Sequence, residues 1–178
     1  MKRLFVLIAA MASLTAFGAD VDVKNSVFQW TGKKVTGQHT GKIFLKSGSV
    51  EVEKEKLTGG SFVIDVNTVT VEDLSGEWKD KFLTHMKSPD FFTVDKFPEA
   101  KLVIKSVKGN DVTADLTIKG KTNPVNFKYK KDGNAFSGTL VFDRTKFDMV
   151  YGSGDFFKGL GDKMIYNDVS LEFKVVTK

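Results

Sequence analysis

The 178-residue chain has no cysteine, two histidines and three prolines. Without cysteine there is no disulfide framework, no thiolate metal site and no cysteine nucleophile. The two histidines, His39 and His85, lie far apart and lack a ligand neighbour at metal spacing, which excludes a histidine-rich metal centre. So few prolines, with no Gly-X-Y repeat, exclude collagen-like or proline-rich character. A large excess of one charge is also missing: 27 Lys+Arg stand against 22 Asp+Glu, a net of +5. What is present is ordinary globular material. Apolar residues make up 41% and aromatics 12%, which rules out a disordered chain, and the length suits one domain.

The N-terminal stretch reads MKRLFVLIAAMASLTAFGAD. Lys2 and Arg3 form a short positive region, Leu4 to Ala12 is continuously apolar, and Ala16 and Gly18 suit the −3 and −1 positions of a signal-peptidase site. The apolar run is too short to span a bilayer. The expectation is a signal peptide over 1–18 and one domain over 19–178, periplasmic or secreted. Without Lys2 and Arg3 the net charge falls to +3. That is weak for nucleic-acid binding, and no nucleic-acid partner is expected.

Period-2 alternation dominates the rest. Ala100, Leu102, Ile104 and Ser106 share one face of a strand; Val112, Ala114, Leu116 and Ile118 repeat the pattern. Val125, Phe127 and Tyr129 follow, then Phe136, Gly138, Leu140 and Phe142, then Val169, Leu171, Phe173 and Val175. Each reads as a strand with one buried and one wet face. Earlier strands are read at Asn25–Thr31, Val35–Lys46 and Leu57–Val66, making eight, with Val50–Glu53 as a hairpin extension. Gly109-Asn110, Gly120-Lys121 and Asp132-Gly133 suit tight hairpins. Short strand–turn–strand spacing favours a barrel or a sandwich over a parallel sheet.

Two segments break the pattern. In Asp73–Met86, Leu74, Trp78, Phe82 and Met86 recur every fourth residue, which predicts a helix with Asp73 as N-cap. Arg144–Asn167, before the last strand, holds Gly152, Gly154, Gly159 and Gly161 and predicts a long loop, a feature usually functional or mobile.

No catalytic constellation stands out. His85 reads as a helix-end residue interacting with carbonyls. His39 reads either as a barrel-facing polar group or as a solvent residue. Gly152-Ser153-Gly154 lacks the Gly-Lys-Ser/Thr of a phosphate loop and the strand–turn–helix context of a dinucleotide site. Fourteen of the 16 phenylalanines lie beyond the leader, including the pairs Phe91-Phe92 and Phe156-Phe157. In a pleated strand one member of each pair faces outwards. The composition thus leaves open a Phe-rich core or a barrel with an apolar cavity.

Four blocks complete the reading: WTGKKVTGQHTGKIFLKSG (Trp30–Gly48), LTGGSFVID (Leu57–Asp65), HMKSPDFFTVDKFP (His85–Pro98) and DRTKFDMVYGSGDFFKGLGDKMI (Asp143–Ile165). In this order and spacing they resemble the YceI-like family over about residues 21–177. The resemblance implies an all-β, eight-stranded antiparallel barrel of lipocalin-like architecture, with one short helix and a long Gly-rich loop before the last strand. It also implies a long apolar tunnel for a polyisoprenoid lipid, such as a polyprenyl phosphate or an isoprenoid quinone. The expected role is an exported carrier or sequestering protein, without cofactor or metal and not an enzyme. The competing roles are a structural or stress-related barrel with no lipid, and an enzyme acting on such a lipid. Tunnel candidates are Trp30, Phe62, Trp78, Phe82, Met86, Phe91, Phe92, Phe142, Tyr151, Phe156 and Phe157. Candidates for the headgroup are His39, Arg144, Lys146, Lys158 and Lys163. Transient membrane contact, and a monomer or a dimer, complete the expected partners.

Overall fold

A computed structural model describes residues 18–178. The leader expected over 1–18 lies outside the described residues, apart from Gly18. Nine strands follow one another: β1 (Gly18–Asp20), β2 (Val27–Lys34), β3 (Gly37–Glu53), β4 (Lys56–Asp65), β5 (Glu99–Lys108), β6 (Asp111–Ile118), β7 (Lys121–Asp132), β8 (Ala135–Asp143) and β9 (Ile165–Val176). One helix, α1 (Gly76–Lys87), lies between β4 and β5. All strand pairs are antiparallel, in the order β3-β2-β9-β8-β7-β6-β5-β4, and β4 pairs back onto β3. The eight long strands therefore form a closed barrel. The three-residue β1 runs along the second half of β3, with Gly18 opposite Glu51.

Alternation in the sequence becomes inside and outside in the barrel. Leu102, Leu116, Val125, Tyr129, Phe136, Leu140 and Val175 are buried, while their chain neighbours on each strand reach water. The stretch Val50–Glu53 is not a separate extension. It belongs to the 17-residue β3, which has a register shift between Leu45 and Ser47. Such a bulge bends a strand, so the first half of β3 pairs with β2 and the second half with β1. The turn expected at Gly120-Lys121 falls one residue earlier. Lys119 and Gly120 both have positive φ, 51° and 72°, as a two-residue hairpin with the twist of its strands requires.

The helix starts at Gly76, two residues later than a cap at Asp73 implies. Ser75 occupies the N-cap position. Asp73 is drawn off by β3: its carboxylate accepts from the Thr40 backbone N–H at 2.9 Å and meets His39 Nδ1 at 2.7 Å.

The two barrel ends differ. Among the described residues, one end has the β3–β4, β5–β6 and β7–β8 hairpins, the segment 18–26 and the C-terminal residues after β9. The segment before β2 seals this end: Val21 is buried, its N–H donates to Gly48 O, and Asp22 N–H donates to Val176 O. The other end carries α1, the turns of Ser88–Pro98, the β2–β3 and β6–β7 turns and the long β8–β9 connection. Lys119 ties these together by donating from Nζ to Pro89 O and Asp148 O, both at 3.0 Å. Burial lowers its pKa, and Asp148 and Asp90 partly restore it.

Candidate ligand-binding site

The barrel interior is not filled by its own side chains. A cavity of about 510 Å³ runs from the decorated end to the sealed end. The inward faces of the strands form its wall: Phe28 and Trp30 from β2, Ile43 and Val50 from β3, Leu57, Phe62 and Ile64 from β4. Ala100, Leu102 and Ile104 continue it from β5, Leu116 and Ile118 from β6, Phe127 and Tyr129 from β7. Leu140 and Phe142 of β8 and Val169, Leu171, Phe173 and Val175 of β9 close the ring. At the sealed end the liners Val50, Leu57, Tyr129, Phe136 and Val175 are all buried, so the chamber is blind.

Polar liners gather at the open end: Lys33, Lys34, His39, His85, Tyr151, Asp162, Lys163 and Tyr166. Helix α1 leans over this rim through Phe82, Leu83 and Met86. Phe82 stacks on Trp30, with centroids 6.0 Å apart and planes at 5°, and lies 4.9 Å from the His39 ring. Trp30 is fixed from its other side, because its indole N–H donates to Thr70 O at 3.1 Å.

His39 and His85 each sit beside a carboxylate. Partial burial raises the pKa of Asp73, but the Thr40 N–H and the His39 ring outweigh that and leave it below the ordinary value. His85 does not interact with helix-end carbonyls through its ring, as its position suggests. Its Nε2 lies 2.9 Å from Asp90 Oδ2, and the ring is edge-on to Phe91 and Tyr151 at 5.1 and 4.6 Å. The turn after α1 carries Asp90 and Phe91 back under the helix end, which offers the ring a stronger partner than a carbonyl. Among the described residues neither ring is hydrogen-bonded to a serine or threonine hydroxyl, and no three His, Asp or Glu side chains gather to hold a metal.

Of the sequence candidates, Trp30, Phe62, Phe82, Met86, Phe91, Phe92, Phe142 and Tyr151 line the cavity, as do His39, Arg144 and Lys163. Trp78, Phe156, Phe157, Lys146 and Lys158 do not. Trp78 is 73% exposed with Lys81 Nζ 5.4 Å above its ring. Phe82, Leu83 and Met86 set the face of α1 that packs on the barrel, and at 3.6 residues per turn Trp78 lies about 90° round the helix from the middle of that face. Phe91-Phe92 and Phe156-Phe157 both lie in loops, where pleat alternation does not apply. The first pair turns inwards, and the second is 58% and 46% exposed.

Arg144 borders the cavity yet is only 2% exposed. Its guanidinium is spent on the fold: Nε donates to Tyr166 O at 3.1 Å, one terminal nitrogen to Ile165 O at 3.1 Å and the other to Met149 O. Burial pulls its pKa below the ordinary value and Asp143 partly restores it. The strand-wall residues other than Trp30, Phe62 and Phe142, and Lys33 and Lys34 at the rim, were not singled out by sequence. The alternation that marks a core face marks a cavity wall equally well, so Tyr129 and Phe173 carried a signal that core and lining share.

A closed antiparallel barrel around a blind apolar chamber is of lipocalin-like build. The chain belongs to the YceI-like family, whose YceI-like domain model matches residues 20–177. A UPF0312 protein of Pseudomonas putida KT2440 is 30% identical over 139 residues, covering 72% of this chain and 68% of that protein. BcnA of Burkholderia cenocepacia shares the fold with a TM-score of 0.68 at 24% identity, covering 89% of this chain and all of BcnA. A polyisoprenoid binding domain from Saccharophagus degradans, implicated in plant cell wall breakdown, matches with a TM-score of 0.61 at 16% identity, covering 89% and 98%.

Proposed function

We propose that the protein is an exported carrier or sequestering protein that holds an isoprenoid lipid, a polyprenyl phosphate or an isoprenoid quinone, without covalent chemistry. The observation that carries this reading is the chamber: a blind apolar bore whose polar groups stand mainly around its mouth. Such a space suits a ligand with a long apolar tail and one polar end. The polyisoprenoid binding domain of similar fold supports the prenyl assignment.

Burying apolar area gains about 25 cal/mol per Å² relative to water. A lipid leaving a bilayer is already out of water, so that gain largely cancels. Shape and headgroup contacts then decide occupancy, which suits exchangeable cargo. The headgroup meets Lys33, Lys34 and Lys163 at the rim. A serine-type hydrolase would need a hydroxyl beside one of the His–Asp pairs, and among the described residues neither ring is hydrogen-bonded to one.

The mouth end also carries Trp78, Tyr151, Phe156, Phe157 and Tyr166, all substantially exposed. Trp and Tyr favour the headgroup layer of a bilayer, so this rim is the surface that touches a membrane while lipid is exchanged. The test is native mass spectrometry of the purified protein after incubation with vesicles containing an isoprenoid quinone or a polyprenyl phosphate. A one-to-one complex is expected. A protein that keeps its bare mass with every such lipid overturns the proposal.

A further inference from the structure

Both histidines line the mouth of the chamber, and each has one ring nitrogen committed and one free. His39 lies at the open end of β3, opposite Gly32 of β2. Its Nδ1 meets Asp73 Oδ2 at 2.7 Å, and its ring lies 4.9 Å from that of Phe82. His85 follows Phe82 on the next turn of α1. Its Nε2 lies 2.9 Å from Asp90 Oδ2, and its ring is edge-on to Phe91 and Tyr151.

A carboxylate only accepts hydrogen bonds, so the ring nitrogen that faces it carries the proton. In a neutral imidazole the second nitrogen is then a bare acceptor. That nitrogen is Nε2 in His39 and Nδ1 in His85, and among the described residues neither has a hydrogen-bond partner. The lysines of the mouth, Lys33, Lys34 and Lys163, can only donate, and Lys33 and Lys163 are exposed on long flexible stems. The two rings are different. Each is tied to a carboxylate and packed on aromatics, so its free nitrogen is fixed before a ligand arrives and little ordering is left to be done on binding.

We infer that the mouth selects cargo whose polar end carries a hydroxyl, a prenyl alcohol or an isoprenoid quinol, with the O–H donating to the free nitrogen of His39 or His85. The inference rests on the lipid-carrier reading and adds the headgroup chemistry and the residues that read it. An ether or a quinone on the same tail offers acceptors only. Set against either nitrogen, it brings two lone pairs face to face and leaves the nitrogen unpaired. No bond is made or broken, so the histidines determine specificity and are not catalytic.

The test uses the purified protein with phenylnaphthylamine, an uncharged fluorescent probe, bound in the chamber at about pH 8, where a free imidazole is neutral. Two ligand pairs displace the probe: geranylgeraniol and its methyl ether, and an isoprenoid quinol, kept reduced under argon, and the quinone of the same tail. The hydroxyl-bearing member of each pair should bind about threefold to tenfold more tightly. A preference in one pair alone assigns the hydroxyl to an alcohol or to a quinol. His39→Phe and His85→Phe together keep the aromatic packing and remove both free nitrogens, so the ratio should fall to about one. The ratio compares two ligands on one protein, and a general loosening of the mouth does not move it. Where the double variant does not fold, at least one of the single variants should lower the preference by about half or more. Equal affinity within both pairs, or a preference that persists without the two rings, overturns the inference while leaving the carrier reading in place. Failure of all four ligands and of the matching prenyl monophosphate to displace the probe overturns both.

Discussion

Replacing Arg144 with methionine removes a buried cation and leaves the carbonyls of Met149, Ile165 and Tyr166 without their donor. These carbonyls belong to the two ends of the β8–β9 connection, so the guanidinium clamps the loop against the first residues of β9. A hydrogen bond to a charged group contributes about 1.5–3 kcal/mol net, so three give an upper bound of roughly 5–9 kcal/mol. Part of this is offset, because the variant no longer buries a charge and methionine fills most of the space. The expected loss is about 3–5 kcal/mol, a large share of the ~5–15 kcal/mol by which a domain is stable. Urea unfolding followed by far-UV circular dichroism measures it. Arg144→Lys should recover little, since an ammonium cannot reproduce the planar fork. A loss below about 1 kcal/mol refutes the clamp. So does a stable methionine variant that loses polyprenyl phosphate but keeps the neutral polyprenol, which would return Arg144 to the headgroup.

Trp78→Ala should cost less than about 1 kcal/mol, as an exposed substitution, whereas Trp30→Ala should cost about 3–5 kcal/mol as a core truncation; thermal unfolding of the two variants compares them directly. Gly41→Ala should destabilise by about 1–3 kcal/mol or more in urea, because a Cβ there would lie 2.0 Å from Thr70 O, in the segment that holds the Trp30 indole. The depressed Asp73 carboxyl contributes stability above the ordinary carboxylate pKa of about 3.9, lost as pH falls through its lower folded value. Asp73→Asn should therefore flatten the acid limb of a melting-temperature profile, and an unchanged limb contradicts the pair with His39.

The barrel was legible because alternation and turn residues are local: Leu102, Ile104, Val112, Ala114, Leu116 and Ile118, and the alternate residues from Val169 to Val175, face inwards as their spacing predicts, whereas the bulge between Ile104 and Ser106 turns Ser106 outwards and packs Val107 on the core. The helix was legible as an element but not in its start, because Asp73 serves either as a cap or as a partner of β3, and only the folded chain brings Thr40 and His39 to it. Trp78 falls outside the packed face because Leu83 belongs to that face, which the spacing of Leu74, Trp78, Phe82 and Met86 does not show. Arg144 looked like a free cation because nothing local reveals that the carbonyls of residues 165 and 166 return to it across the long connection. The chamber wall was the least visible part. A sequence shows which face of Tyr129 or Phe173 is apolar, but not whether eight such faces meet or leave a void.

The most direct test of the account is the emission of Trp30 in a Trp78→Phe variant, where it is the only tryptophan. Trp30 is 8% exposed, lines the chamber and stacks on Phe82. Titration with an isoprenoid quinone, a strong quencher on contact, should reduce its emission saturably with a one-to-one endpoint. Emission that is unchanged at excess quinone would mean that no such ligand enters the chamber, and would contradict the assignment of this barrel as an isoprenoid carrier.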